Sequence, residues 1–321
     1  MPLLLVIGSY FIYDPFRVLY HYDNLYKDFL VNINRDYASS QLFIQNNPSN
    51  RYDSFIFGSS RTMAYHTKEW KKHFKDSIHP YVFDASSERA MGIWTKIKFL
   101  DKEQVPIKNA LIIICTDQNF TYNQQADGLL FVRHPKVDST KNFLQFQAVF
   151  FSNYLKDYFF IRYLDHKILD KQNKQFSKNM EFIEVFVDSI SNDLYRTDLN
   201  LRIEEDSLQY YEQVNHFFYE RNNQVQYSED QIDERMQGMF KDIKAIFDKH
   251  KTNYKIVISP LYSQSKINNH DLDFLNRIFG SQQVHDFSGI NSITNNKFNY
   301  YENSHYRPSV GKFIMDSIYA K

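Results

Sequence analysis

From residue 53 onward, short apolar runs alternate with segments whose apolar residues recur at helical spacing. This alternation is the mark of α/β construction. Asp53-Ser-Phe-Ile-Phe57 is predicted to be a strand ending at Gly58, with a helix following from about Thr62 to Phe74. Tyr81-Val-Phe-Asp84 is the second predicted strand, with a helix over Ala90 to Leu100 behind it. Ala110-Leu-Ile-Ile-Ile-Cys-Thr116 is apolar throughout and rich in β-branched residues, as expected of a strand buried on both faces. Tyr254-Lys-Ile-Val-Ile-Ser259, stopped by Pro260, and the weaker Gln283-Val-His-Asp-Phe287 complete five strands. Ahead of the fourth, Ile232, Met236, Met239, Phe240, Ile243, Ile246 and Phe247 fall on one helical face. The expected fold is α/β: a doubly wound, flavodoxin-like parallel sheet of about five strands.

Residues 120–230 are too many for a crossover between the third and fourth strands, so they read as a large helical insertion. Phe143-Leu-Gln-Phe-Gln-Ala-Val-Phe-Phe151 and Tyr158-Phe-Phe-Ile-Arg-Tyr-Leu164 carry its aromatic density. Two readings fit: a helical subdomain with its own aromatic core, and a lid facing carbohydrate or lipid. Pro308 to Lys321 reads as a closing helix with Pro in its first turn. Residues 1–30 stand apart from the α/β domain of residues 31–321. Their apolar run, Pro2 to Tyr13, falls short of the roughly 20 residues that span a bilayer. It fits either a docking segment or the tail of a signal anchor. The uninterrupted apolar stretch, followed by Tyr10, Phe11, Tyr13 and Phe16, favours the anchor.

Composition narrows the chemistry. Of the 321 residues, Lys+Arg 38 balance Asp+Glu 38, which excludes a binder held mainly by nucleic-acid charge. A single cysteine, Cys115, excludes a disulfide scaffold and a Cys-rich zinc site, and its place in a strand marks it as a buried thiol. With no Gly-rich phosphate loop, no His-Glu-x-x-His and no EF-hand loop, neither cofactor nor metal is expected.

Ligands of open parallel sheets bind beyond the carboxyl ends of the strands. Two segments there carry chemistry. Gly58-Ser59-Ser60-Arg61 follows the first strand, and Gly58-x-Ser60 is the only Gly-x-Ser of the chain. A serine in such a turn exposes its hydroxyl, although Gly-Ser-Ser ahead of a helix is also ordinary capping sequence. Glu302-Asn-Ser-His305 precedes the last helix, and an acid three residues before a histidine is placed to orient the imidazole. The spacing alone is uninformative, because Asp76-Ser-Ile-His79 repeats it; position in the fold separates the two.

Together these segments resemble the SGNH/GDSL hydrolase superfamily, and most closely its envelope acyltransferase-like branch, the relatives of alginate O-acetylation and teichoic-acid D-alanylation proteins. The resemblance covers residues 50–120 and 250–321. It implies Ser60 as nucleophile, His305 as base and Glu302 as orienting acid. Ser59 stands where the superfamily has Asp, and Glu302 is one methylene longer than the usual Asp. The oxyanion blocks depart from the pattern: Ala85-Ser86-Ser87 with Gly92 further on, then Asp117-Gln118-Asn119. Ser59, Arg61, Gly92, Asp117 and Asn119 are the implied site-lining residues, with Asn119 as an oxyanion donor. The resemblance further implies a glycan acceptor, an acyl-ester donor, a membrane-bound O-acyltransferase as partner and the extracytoplasmic face of the cell envelope. A catalytically inactive glycan-binding or assembly component on the same fold is the alternative.

Overall fold

A computed structural model describes residues 2–117, 120, 128–169 and 185–320, apart from residues 28, 30 and 223. Five parallel strands form the central sheet: β1 (Ser54–Gly58), β2 (Pro80–Asp84), β3 (Asn109–Ile114), β4 (Asn253–Ile258) and β5 (Val284–Asp286). Their order is β2-β1-β3-β4-β5, so strand order reverses between β1 and β3. β1, β2 and β3 are buried along their whole lengths, as the apolar runs at their centres require.

Alternate residues of each strand feed two cores. Phe55, Phe57, Phe83, Ile112, Ile114, Ile256 and Ile258 pack under helices Arg35–Asn50, Ala90–Lys102, Glu234–His250 and Asn269–Phe279. Ile56, Val82, Leu111, Ile113 and Val257 pack on the other face, against Trp70 and the C-terminal helix Pro308–Ile318. The fold is therefore the doubly wound α/β sandwich expected from the run pattern.

One local expectation needs correction. The segment read as one helix from Thr62 to Phe74 is a five-residue 3-10 turn, Ser60–Ala64, and a separate short helix, Thr67–Lys71. The break at Tyr65-His66 is set by distant partners. The Thr67 N–H and hydroxyl donate to Asp193, and the Tyr65 side chain is drawn inward to the Tyr306 hydroxyl. Helix Arg35–Asn50, where no element was predicted, buries the polar Arg35, Asp36, Ser39 and Ser40 beside Ala38, Leu42 and Phe43.

The residues between β3 and β4 do three structural jobs. Helices Phe143–Leu155 and Phe159–Leu169 build an aromatic core shared with the N-terminal helix Pro2–Tyr13, through Tyr10, Phe146, Phe150, Tyr154 and Phe159. This core is not the insertion's alone. The hairpin Phe186–Val187/Leu194–Tyr195 sends Asn192 back to the edge of β2, where its amide donates to the Val82 carbonyl at 2.6 Å. Helices Thr197–Glu205 and Ser207–Gln213 pack beneath Tyr301. The N-terminal helix docks with Tyr10 buried while Leu4, Leu5 and Ile12 stay exposed. Among the described residues, no helix is long and apolar enough to cross a membrane.

Candidate active site

Gly58 ends β1 against the neighbouring strand. A Cβ there would lie 2.9 Å from the Ile113 carbonyl oxygen and 2.9 Å from the Thr62 methyl, so only glycine lets the turn pass this close to β3. The chain then tightens into the 3-10 turn. The Thr62 N–H and hydroxyl both donate to the Ser59 carbonyl at 2.9 Å, and the hydroxyl lies 3.2 Å from Asp84 at the end of β2. Ser59 is fully buried beside Cys115, whereas the Ser60 side chain turns outward and is half-buried.

His305 comes from the opposite end of the chain. Tyr300–Glu302 and His305–Tyr306 pair antiparallel, with Glu302 facing His305 across a two-residue turn. The three-residue spacing thus becomes a cross-strand pair, which gives the longer Glu side chain its reach. Glu302 Oε1 accepts from His305 Nδ1, and Oε2 accepts the Ser304 N–H at 2.6 Å. His305 Nε2 lies 2.9 Å from Ser60 Oγ. The partners define the tautomer: Nδ1 carries the proton towards the carboxylate, leaving Nε2 to accept from the serine hydroxyl. Burial pushes the Glu302 carboxyl up, but the hydrogen bond and charge of His305, with the Ser304 N–H, outweigh it and hold it below its ordinary value.

The ionised Glu302 pairing contributes stability in full above the ordinary carboxylate range, about pH 4.3. That stability is lost as pH falls through the lower folded value. Melting temperatures of wild type and Glu302→Gln are therefore expected to converge as pH falls through that lower value and to stand fully apart above the ordinary carboxylate range. A constant gap across that range would contradict the pairing.

The hairpin is braced from beneath by the insertion. The Tyr210 hydroxyl donates to the Tyr301 carbonyl at 2.9 Å, that of Tyr211 to the Tyr300 carbonyl at 2.8 Å, and that of Tyr301 to Asn200 Oδ1 at 2.6 Å. The last helix locks the hairpin to the serine turn. A Cβ on Gly311 would sit 2.0 Å from the Ala64 carbonyl oxygen. Gly311→Ala must therefore push the helix off the turn. It is expected to cost about 1–3 kcal/mol of stability and to slow Ser60 reactivity more than that loss explains. Denaturation midpoints alongside labelling rates check this; unchanged values for both would contradict the packing.

The remaining implied residues distribute unevenly. The buried Arg61 guanidinium forms a two-pronged ion pair with Asp117, at 2.9 and 2.8 Å, and donates from Nε to the Ser304 carbonyl at 2.8 Å. Burial lowers the Arg61 pKa, but Cys115 and Asp117 outweigh this and hold it above its ordinary value. Gly92 lies inside helix Ala90–Lys102 beneath the Glu88 carboxylate. Asn119 lies outside the described residues. Ser87, in the loop after β2, takes a left-handed φ of 50°.

Sequence reasoning missed the support around Asp84. The Arg35 guanidinium donates through Nε to both Asp84 oxygens at 3.0 Å, and Asn192 donates to one of them at 3.2 Å. An acid closing an otherwise apolar strand at the carboxyl edge was the available signal; Arg35 and Asn192 lie 49 and 108 residues away from it. Among the described residues, Asp230, His270 and Asp271 have ligand atoms close enough for a cation. The Asp271 carboxylate is already used by the Gln231 and Ile232 N–H groups and by Asn268. Compared with models of known protein families and with curated protein sequences, the chain matches none.

Proposed function

We propose that this chain is a serine-dependent esterase or O-acyltransferase that forms an acyl-enzyme on Ser60. The observation that carries the reading is the continuous relay from Ser60 Oγ through the His305 imidazole to Glu302, assembled from segments 245 residues apart beside the point where strand order reverses. In the first half-reaction Ser60 Oγ attacks an ester carbonyl carbon as its proton passes to His305 Nε2. The bond to the leaving alcohol then breaks, and that oxygen takes the proton from Nε2. In the second half, water or a sugar hydroxyl gives its proton to Nε2 and attacks the acyl carbon, returning Ser60. Glu302 holds the imidazole and balances its transient charge. The Ser60 backbone N–H is the oxyanion donor this reading assigns.

An exported or envelope glycan as acceptor, an acyl-ester donor and a membrane-bound O-acyltransferase supplying acyl groups complete the proposal; they rest on the superfamily resemblance. The test is turnover of short acyl esters such as p-nitrophenyl acetate, with and without added oligosaccharide. Wild type is expected to release the alcohol. Faster release together with acylated sugar marks transfer, and release unaffected by sugar marks hydrolysis. A folded chain that releases nothing contradicts the enzyme.

One observation favours a second reading, a non-catalytic glycan-binding or assembly component. The loop after β2 carries Ser87 in a left-handed conformation that glycine adopts freely, and Gly92 is committed to helix packing. Glycan binding without ester turnover would select it.

A further inference from the structure

Arg61 touches all three loops around Ser60, and the relay does not use it. Its backbone follows the nucleophile in the Ser60–Ala64 turn. Its Nε–H holds the carbonyl of Ser304, the residue before His305, at 2.8 Å. Its two terminal nitrogens grip both oxygens of Asp117, on the loop beyond β3, at 2.9 and 2.8 Å. The guanidinium side is 5% exposed and the carboxylate side 43%, so Arg61 is fixed and Asp117 faces solvent. A planar fork with donors on two edges can serve a carboxylate and a carbonyl at once, which a lysine ammonium on a flexible stem does less well. Glu302 binds the Ser304 N–H while Arg61 binds the Ser304 carbonyl. The two peptide units flanking Ser304, the residue before His305, are thus held from both sides.

We infer that Arg61 is a positioning residue that sets the distance between Ser60 and His305, with Asp117 acting only through Arg61. The inference rests on the serine-esterase reading and assigns Arg61 no contact with substrate. The test resolves fluorophosphonate labelling into the probe's affinity and its maximal rate of reaction. In Arg61→Gln the maximal rate is expected to fall about 10- to 100-fold with affinity within about twofold, the penalty of a small misplacement of the reacting groups. Arg61→Lys is expected to recover part of the rate. Asp117→Ala alone is expected to give a smaller loss, and none beyond that of Arg61→Gln when the two are combined. A wild-type maximal rate in Arg61→Gln, a loss confined to affinity, or a further loss from Asp117→Ala in the Arg61→Gln background overturns the inference. Should Arg61→Gln not fold, Asp117→Ala decides, since an unchanged rate there overturns it equally. A wild type that takes no label contradicts the esterase reading itself, whereas a labelled wild type with an equally fast Arg61→Gln contradicts this inference alone.

Discussion

Ser60→Ala is expected to lower ester turnover by roughly 10⁴- to 10⁶-fold while leaving the fold intact. The magnitude follows from the division of labour in the relay. Without the hydroxyl there is no acyl-enzyme, and His305 has only water to activate. The residue itself carries little structural weight: it is half-buried, and its side-chain partner is His305. The melting temperature should therefore stay close to wild type. His305→Ala is expected to match Ser60→Ala in rate, and the double variant to be no worse than either, because the two act as one unit. Additive losses would mean that they do not.

The largest loss of stability is expected from Lys96→Met. Lys96 lies in helix Ala90–Lys102 with a fully buried side chain. Its ammonium bonds the Glu88 carboxylate, donates to the Asp84 carbonyl at 2.9 Å and lies 3.3 Å from Asp36. Burial draws the ammonium pKa down, but Asp36 and Glu88 outweigh it and keep the charge. Methionine fills the volume but takes the ammonium from between two buried carboxylates, a loss of about 3–5 kcal/mol. Lys102→Met, exposed near the end of the same helix, is expected to change stability by less than about 0.5 kcal/mol. The deficit should depend on pH. Burial raises Asp36 to about 6, so the stability this group contributes is full in acid and lost as pH rises through that value. Without Lys96 the penalty on its ionised form grows, so the Lys96→Met deficit should be larger at pH 8 than at pH 5. Urea denaturation at the two pH values checks both parts; a deficit under about 1 kcal/mol at pH 8 would show that the ammonium is not needed.

This network also explains where the sequence was opaque. The first three strands were legible because each carries an apolar run whose two faces are both covered, whereas the fifth, Val284–Asp286, is short, mostly polar and only partly buried. The Ser60 turn and His305 followed from that topology, since a parallel sheet brings the ends of its strands to one edge whatever their separation in the chain. Helix Arg35–Asn50 was hidden because polar residues share its buried face: Arg35, Asp36 and Ser39 point inward to the charges around Asp84 and Lys96 and break up the apolar positions Tyr37, Ala38, Leu42 and Phe43. The break at Tyr65-His66 was hidden because the partners that set it, Asp193 and Tyr306, lie more than 120 residues away. The bracing of the His305 hairpin by Tyr210 and Tyr211 had no local signal either, because a tyrosine hydroxyl finds its carbonyl only once the insertion has folded against residues 298–301.

The most direct measurement is the mass of the intact protein after reaction with a fluorophosphonate, followed by peptide mapping of the adduct. One phosphonyl group on the peptide carrying Ser60, absent from Ser60→Ala and slowed in His305→Ala, is the expected result. A folded protein that gains no mass, or one that carries the group on another residue, would contradict a nucleophile at Ser60.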